Sequence, residues 1–113
     1  MYKIYHNPRC KKSRAGLQYL QEKGVEPQII EYLKNPIGEA ELKDLLVRMH
    51  KKPFEIIRTQ EAIYKSDFKG KNFTDDEWVK ILVENPKLIQ RPIVVKGPKA
   101  VWGDPPAELD VLL

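Results

Sequence analysis

The chain is poor in the residues that form cross-links or bind metals. Its 113 residues include one cysteine, Cys10, and two histidines. A single cysteine excludes an intrachain disulfide, and a lone thiol is typical of proteins in the reducing cytosol. So few cysteines and histidines also argue against a structural zinc site. We therefore expect a cytoplasmic protein without a metal site.

Long hydrophobic runs and a strong excess of one charge are also missing. The longest apolar stretches, such as Ile81 to Val83, are far shorter than the ~20 residues of a membrane-spanning helix. The first residues lack the apolar core of a signal peptide. The net charge is only +4, and aromatic residues are not interleaved with basic ones. We therefore predict neither a membrane nor a nucleic-acid partner.

Length and patterning predict one α/β domain over residues 1–113. The chain opens with a β-rich run, a helical pattern and a second β-rich run, an order that favours parallel strands. Helical patterns fill the middle, one of them after the capping box Thr74–Glu77. A mixed four-stranded sheet flanked by helices follows, with a helical insertion between its βαβ and ββα halves. The predicted strands cover 2–5, 27–32, 92–95 and 100–102; the predicted helices cover 10–23, 39–50, a short part of 53–64, 74–84 and a short segment from 105.

Cys10 stands at the expected N-terminus of the first helix. The first amides of a helix lack partners and carry partial positive charge, so they favour thiolate over thiol. Nearby basic residues add to this effect and lower the pKa of such a cysteine. The site would then combine a nucleophile with an oxyanion cradle. A small buried hydrophobic cysteine is the alternative. The neighbouring groups are His6, Arg9, Lys11, Lys12 and Arg14.

Ser13 completes a Cys-x-x-Ser sequence with Cys10. Its hydroxyl or amide could hydrogen-bond the thiolate, or it could be an ordinary polar residue of a first helical turn. A serine cannot resolve a mixed disulfide, so a redox cycle at Cys10 would need an external thiol. The Cys-x5-Arg phosphate loop is disfavoured, because Gly16 occupies the position of its arginine.

Two distant arginines are candidates for binding an oxyanion, because a guanidinium can hold one through two parallel hydrogen bonds. Arg91 directly precedes Pro92, and such a step can hold a cis peptide that would place Arg91 beside the Cys10 turn. Arg58 lies in the irregular central region. Spacing alone favours a surface or ion-pairing role for both.

The sequence resembles the ArsC family of glutaredoxin-linked arsenate reductases, which have a thioredoxin-like fold. The resemblance spans essentially the whole chain and rests on four segments: Ile4 to Ser13, Pro27 to Leu33, Phe73 to Asp76 and Arg91 to Val95. It implies that the Cys10 thiolate attacks arsenate to form a covalent adduct.

The same resemblance assigns the remaining roles. It implies that Arg58 and Arg91 bind the oxyanion and that Ser13 and His6 support the thiolate. Glutathione is then a co-substrate, glutaredoxin a partner, and no cofactor is bound.

One position departs from the family pattern, because Asp104 stands where a third arginine is expected. An acid there would repel arsenate, and Arg9, Lys11 or Lys12 could compensate. A related thiol reductase with another substrate is therefore an alternative. A second alternative is an Spx-type regulator that binds RNA polymerase, although many such proteins carry Cys-x-x-Cys rather than Cys-x-x-Ser.

Overall fold

The computed structural model describes residues 1–113, which separate into two compact units. The first unit consists of Met1–Asn35 and Arg91–Leu113, and the second is Pro36–Gln90. The second unit therefore interrupts the first in sequence, at the place where the helical insertion is predicted. The expectation of a single domain over 1–113 stays a prediction.

The first unit is built on a four-stranded mixed sheet with the order β2-β1-β3-β4. Strand β1 pairs in parallel with β2 and antiparallel with β3, which in turn pairs antiparallel with β4. The predicted mixed sheet is confirmed. Its strands are β1 (Tyr2–Tyr5), β2 (Gln28–Ile30), β3 (Ile93–Lys96) and β4 (Lys99–Trp102).

Helix α1 (Lys11–Glu22) joins β1 to β2 and packs one face on the core. It ends before Gly24, whose φ of +81° is a conformation that glycine adopts without steric cost. The helix also packs against a 3₁₀ helix, Pro106–Leu112, that closes the chain. The core beneath it contains Ile4, Leu20, Val94, Leu109 and Leu112.

The second unit is mainly helical, as predicted for the insertion. Helices α2 (Glu39–Met49) and α3 (Asp75–Glu84) pack together. The capping box of α3 forms as predicted: the Glu77 N–H donates to Thr74 Oγ1, and the Thr74 N–H donates to a Glu77 carboxylate oxygen. The shorter helical segments are Pro53–Ile56, Tyr64–Phe68 and Pro86–Leu88.

Several element boundaries and types differ from the sequence prediction. Strand β2 is shorter than 27–32, because the chain turns at Glu31, whose carbonyl accepts the N–H groups of Lys34 and Asn35. The predicted short closing helix is present and is of the 3₁₀ type, which the sequence did not specify, and the π-helical turn Tyr64–Phe68 was not predicted. Short turns of this kind depend on packing more than on periodicity.

Gly16 on α1 lies directly against Pro92. A Cβ added at Gly16 would stand 2.5 Å from Pro92 Cγ, inside van der Waals contact with a stiff ring. Overpacking of this kind costs about 1–3 kcal/mol. A better helix propensity would return at most about 1 kcal/mol. Gly16→Ala should therefore lower the free energy of unfolding measured in urea. A stabilised variant would show that this contact is loose.

Candidate active site

Cys10 is the N-cap residue of α1, in the turn that follows β1. Its backbone is extended (φ −92°, ψ 123°), its N–H donates to the Asn7 carbonyl at 3.0 Å, and its carbonyl accepts the Arg14 N–H at 3.0 Å. The side chain is half-buried. In this geometry the first amides of α1 point toward the N-cap side chain, here a sulfur atom.

The environment of the sulfur favours the thiolate. Burial, the largest single influence, raises the pKa of the Cys10 thiol. The backbone N–H groups of Ser13 and Lys12 and the charge and hydrogen bond of Arg91 together lower it by more. The pKa of the thiol therefore lies below its ordinary value. This is the property expected of a nucleophilic cysteine at a helix N-terminus.

Arg91 is brought to the thiol by the turn that precedes β3. Its peptide bond to Pro92 is cis, the conformation that the sequence allowed without deciding it. The side chain is only 7% exposed, and it hydrogen-bonds the Cys10 side chain. The Gly103 N–H donates to the Pro92 carbonyl at 2.8 Å, which ties the end of β4 to the same turn. The structure thus joins Cys10 and Arg91, as the sequence predicted.

Ser13 and His6 form a buried polar group under the Cys10 turn. Ser13 is fully buried, and its Oγ lies 2.6 Å from His6 Nδ1 and accepts the Asn7 N–H at 3.0 Å. The sequence left open whether the Ser13 hydroxyl or amide reaches the thiol. The Ser13 amide N–H lowers the pKa of the thiol, whereas the hydroxyl makes its two contacts within the turn.

The state of His6 follows from its burial. Burial lowers the pKa of His6, Glu31 raises it and Arg14 lowers it, and the net direction is downward. The ring is therefore neutral at pH 7, with one donor and one acceptor nitrogen. Its contact with Ser13 is thus a neutral hydrogen bond that positions the turn.

Asn7 is a site residue that the sequence patterns did not single out. Its carbonyl accepts the Cys10 N–H, its backbone N–H donates to Ser13, and its Oδ1 accepts the Arg9 N–H at 3.1 Å. Three contacts therefore fix the turn through one residue. The available signal was the Asn-Pro step, because asparagine side chains often bond their own backbone two residues on.

The side chains of the basic residues around Cys10 make different contacts. Lys12 Nζ lies 3.1 Å from Asp104 Oδ2. Arg14 Nη1 donates to the Pro8 carbonyl at 3.0 Å. Arg9 lines a neighbouring cavity. Among Arg9, Lys11 and Lys12, Lys12 is therefore the residue that forms an ion pair with Asp104.

That cavity has a volume of about 210 Å³ and lies where β1 and β2 end. Residues 6–9 line one side, and Glu31, Leu33 and Lys34 line the other. The carboxyl ends of neighbouring parallel strands are a common position for ligands. Two cationic side chains and one carboxylate give the cavity mixed charge.

Arg58 belongs to the second unit. Its backbone N–H donates to the Leu88 carbonyl at 2.7 Å, and its Nη2 lies 3.5 Å from Glu61 Oε2. Arg58 is the residue after Ile57, which forms an isolated antiparallel β-bridge with Ile89. The assignment of Arg58 to oxyanion binding stays a prediction.

None of the helices has the length and apolar character required to cross a bilayer. Nowhere do three or more histidine, cysteine, aspartate or glutamate side chains cluster as metal ligands would.

The low pKa of the thiol can be measured through its reactivity. The rate of Cys10 alkylation by iodoacetamide should rise with pH along a curve whose midpoint lies below the ~8.5 typical of a model thiol. The thiolate is the reacting form, so the midpoint of this curve reports the pKa. A midpoint at or above the model value would favour the buried-thiol alternative. Unfolded protein in urea is the reference.

Comparison with known proteins assigns the fold and the family. Residues 5–112 match the model of the ArsC family. The chain is 42% identical to the uncharacterized protein YfgD of Escherichia coli (strain K12) over 109 residues, which are 95% of this chain and 92% of that protein. It is 34% identical to an arsenate reductase of Neisseria meningitidis over 113 residues, which are 98% and 97% of the two chains.

The structure agrees with these sequence matches. An arsenate reductase from Vibrio cholerae superposes with a TM-score of 0.93 and 37% identity, over 99% of this chain and 97% of that one. The predicted thioredoxin-like α/β fold is therefore confirmed. Since a family model covers nearly the whole chain and the relatives align along their full lengths, the protein belongs to the ArsC family.

Proposed function

We propose that this protein is a thiol-dependent oxyanion reductase that acts on arsenate, with Cys10 as its nucleophile. The observation that carries the proposal is the setting of the half-buried Cys10 sulfur at the N-terminus of α1, where the Ser13 and Lys12 amides and the Arg91 guanidinium lower the pKa of the thiol. Donors that stabilise a thiolate also stabilise negative charge on an oxyanion that replaces it. The relatives named arsenate reductase support this choice of substrate.

In the first step, the Cys10 thiolate attacks arsenic. A sulfur–arsenic bond forms, one arsenic–oxygen bond breaks, and the oxygen leaves as water after protonation. Arsenic remains As(V). Arg91 and the amides of α1 stabilise the charge on the remaining oxygens.

In the second step, a glutathione thiolate attacks the Cys10 sulfur. The sulfur–sulfur bond forms, the sulfur–arsenic bond breaks, and its electron pair stays on arsenic, which leaves as arsenite. Arsenic is thereby reduced from As(V) to As(III), and the two thiols become a mixed disulfide. Ser13 provides no second thiol at the usual resolving position. Glutaredoxin then reduces the disulfide by thiol exchange.

Other residues take supporting roles in this proposal. Ser13 and His6 hold the turn that presents the Cys10 sulfur, and Arg58 provides a second guanidinium for the oxyanion. Glutathione carries carboxylates and an ammonium group, to which the mixed charge of the cavity at residues 6–9 is suited. No bound cofactor is required. The need for reduced glutathione places the protein in the cytoplasm.

The test is a coupled assay with purified protein, arsenate, glutathione, glutaredoxin, glutathione reductase and NADPH. Oxidation of NADPH should depend on arsenate and on each thiol component, and arsenite should appear in equal amount. Absence of arsenate-dependent turnover contradicts the proposal. Binding of RNA polymerase without turnover would instead favour the Spx-type alternative.

A further inference from the structure

Only some of the basic residues near Cys10 direct their charge to the sulfur. Arg91 does so, because its guanidinium hydrogen-bonds the Cys10 side chain. Arg14 bonds the Pro8 carbonyl, and Lys12 Nζ pairs with Asp104 Oδ2. The backbone N–H of Lys12 therefore lowers the pKa of the thiol, whereas its ammonium group pairs with Asp104.

Asp104 is placed by the same turn that positions Arg91. The Gly103 N–H donates to the Pro92 carbonyl, which fixes the end of β4 against the Arg91–Pro92 turn. Asp104 is the next residue of the chain and therefore lies close to that turn. The Asp104 side chain is 25% exposed, whereas that of Lys12 is 60% exposed. The flexible lysine thus reaches to the better-fixed carboxylate.

We propose that Asp104 is a specificity-determining residue that disfavours doubly charged oxyanions, because it holds the Lys12 ammonium and places a carboxylate beside the Arg91 turn. The site of the first unit then favours oxyanions with a single negative charge. This inference rests on the proposed function, since it concerns the anion that Cys10 attacks.

The charge balance explains the expected direction. With Asp104 paired to Lys12, the two charges largely cancel for an approaching anion. Neutralising Asp104 leaves the Lys12 ammonium uncompensated on the first turn of α1, where it attracts an anion in proportion to the charge of that anion. A doubly charged ligand therefore gains more than a singly charged one.

The experiment measures anion binding by protection of Cys10 from iodoacetamide. The probes at pH 7.5 are arsenate, which is mostly doubly charged, and methylarsonate, which is mostly singly charged. Asp104→Asn should lower the half-protecting concentration of arsenate by about three- to tenfold, and that of methylarsonate less. Asp104→Glu keeps the charge and should behave like the parent protein.

Two further variants separate this role from a general change of charge. Lys12→Met in the Asp104→Asn background should remove the gain, because the released ammonium produces it. Asp110→Asn makes the same charge change in the first unit, at a carboxylate that bonds Tyr19, and should leave arsenate protection unchanged. Circular dichroism of each variant verifies the fold.

Four results of the protection experiment would overturn the inference about Asp104. It fails if Asp104→Asn leaves arsenate protection unchanged, shifts both probes equally, or acts no differently from Asp110→Asn. It also fails if arsenate protects neither the parent protein nor the variants. Protection that follows the expected order, without any arsenate-dependent turnover, would contradict the proposed function and leave this inference standing.

Discussion

Cys10→Ser should lower arsenate-dependent turnover by a factor of about 10³ or more, to the level of the reaction without enzyme. A serine hydroxyl at this position is slightly smaller and far less acidic than a thiol, so it stays protonated and does not attack arsenic. It also cannot form a disulfide with glutathione. The coupled assay with NADPH measures the loss.

Mass spectrometry provides a second readout for the same variant. After arsenate and glutathione are added without glutaredoxin, the parent protein should accumulate as a mixed disulfide at Cys10. The serine variant should keep its unmodified mass. Because the side chain is half-buried and small, the variant should unfold at nearly the same urea concentration as the parent. Undiminished turnover would show that Cys10 is not the nucleophile.

Arg91→Ala should lower kcat/KM for arsenate by about 10² to 10³ and raise the pKa of the Cys10 thiol. One guanidinium accounts for both effects, since it hydrogen-bonds the sulfur and, in the proposed mechanism, stabilises the charge that develops on the oxyanion. Removing one preorganised donor from an oxyanion site costs about this factor. The alkylation curve should shift to higher pH, because the thiolate loses a hydrogen bond and a nearby positive charge.

Arg91→Lys is the matched variant for this prediction. It keeps the charge but loses the planar guanidinium, so it should recover part of the pKa shift and little of the rate. Arg91 is 7% exposed, and its loss can also affect folding. Urea unfolding of both variants separates that effect. An unchanged alkylation curve in a folded alanine variant would contradict the role of Arg91.

Local patterns in the sequence were sufficient where the cause is local. The capping box at Thr74 forms as predicted, and the first helix ends within a residue of the predicted position 23, because each depends on contacts within a few residues or on the backbone freedom of Gly24. The β-rich runs and the order strand, helix, strand likewise led to the mixed sheet. The closing 3₁₀ helix and the π-helical turn were not predictable in this way, because their form depends on packing.

In the candidate site, too, some features follow from the local sequence and others from the tertiary structure. The sequence by itself placed Cys10 at a helix N-terminus among basic residues, and so predicted that the pKa of its thiol is lowered. Only the tertiary structure decided which basic residues act on the sulfur. It brings Arg91 to the thiol from the far end of the chain and pairs Lys12 with Asp104. The number of charged residues in a sequence does not show where each charge points. Electrostatic stabilisation depends on distance and orientation, and the pairing of strands that are distant in sequence sets both.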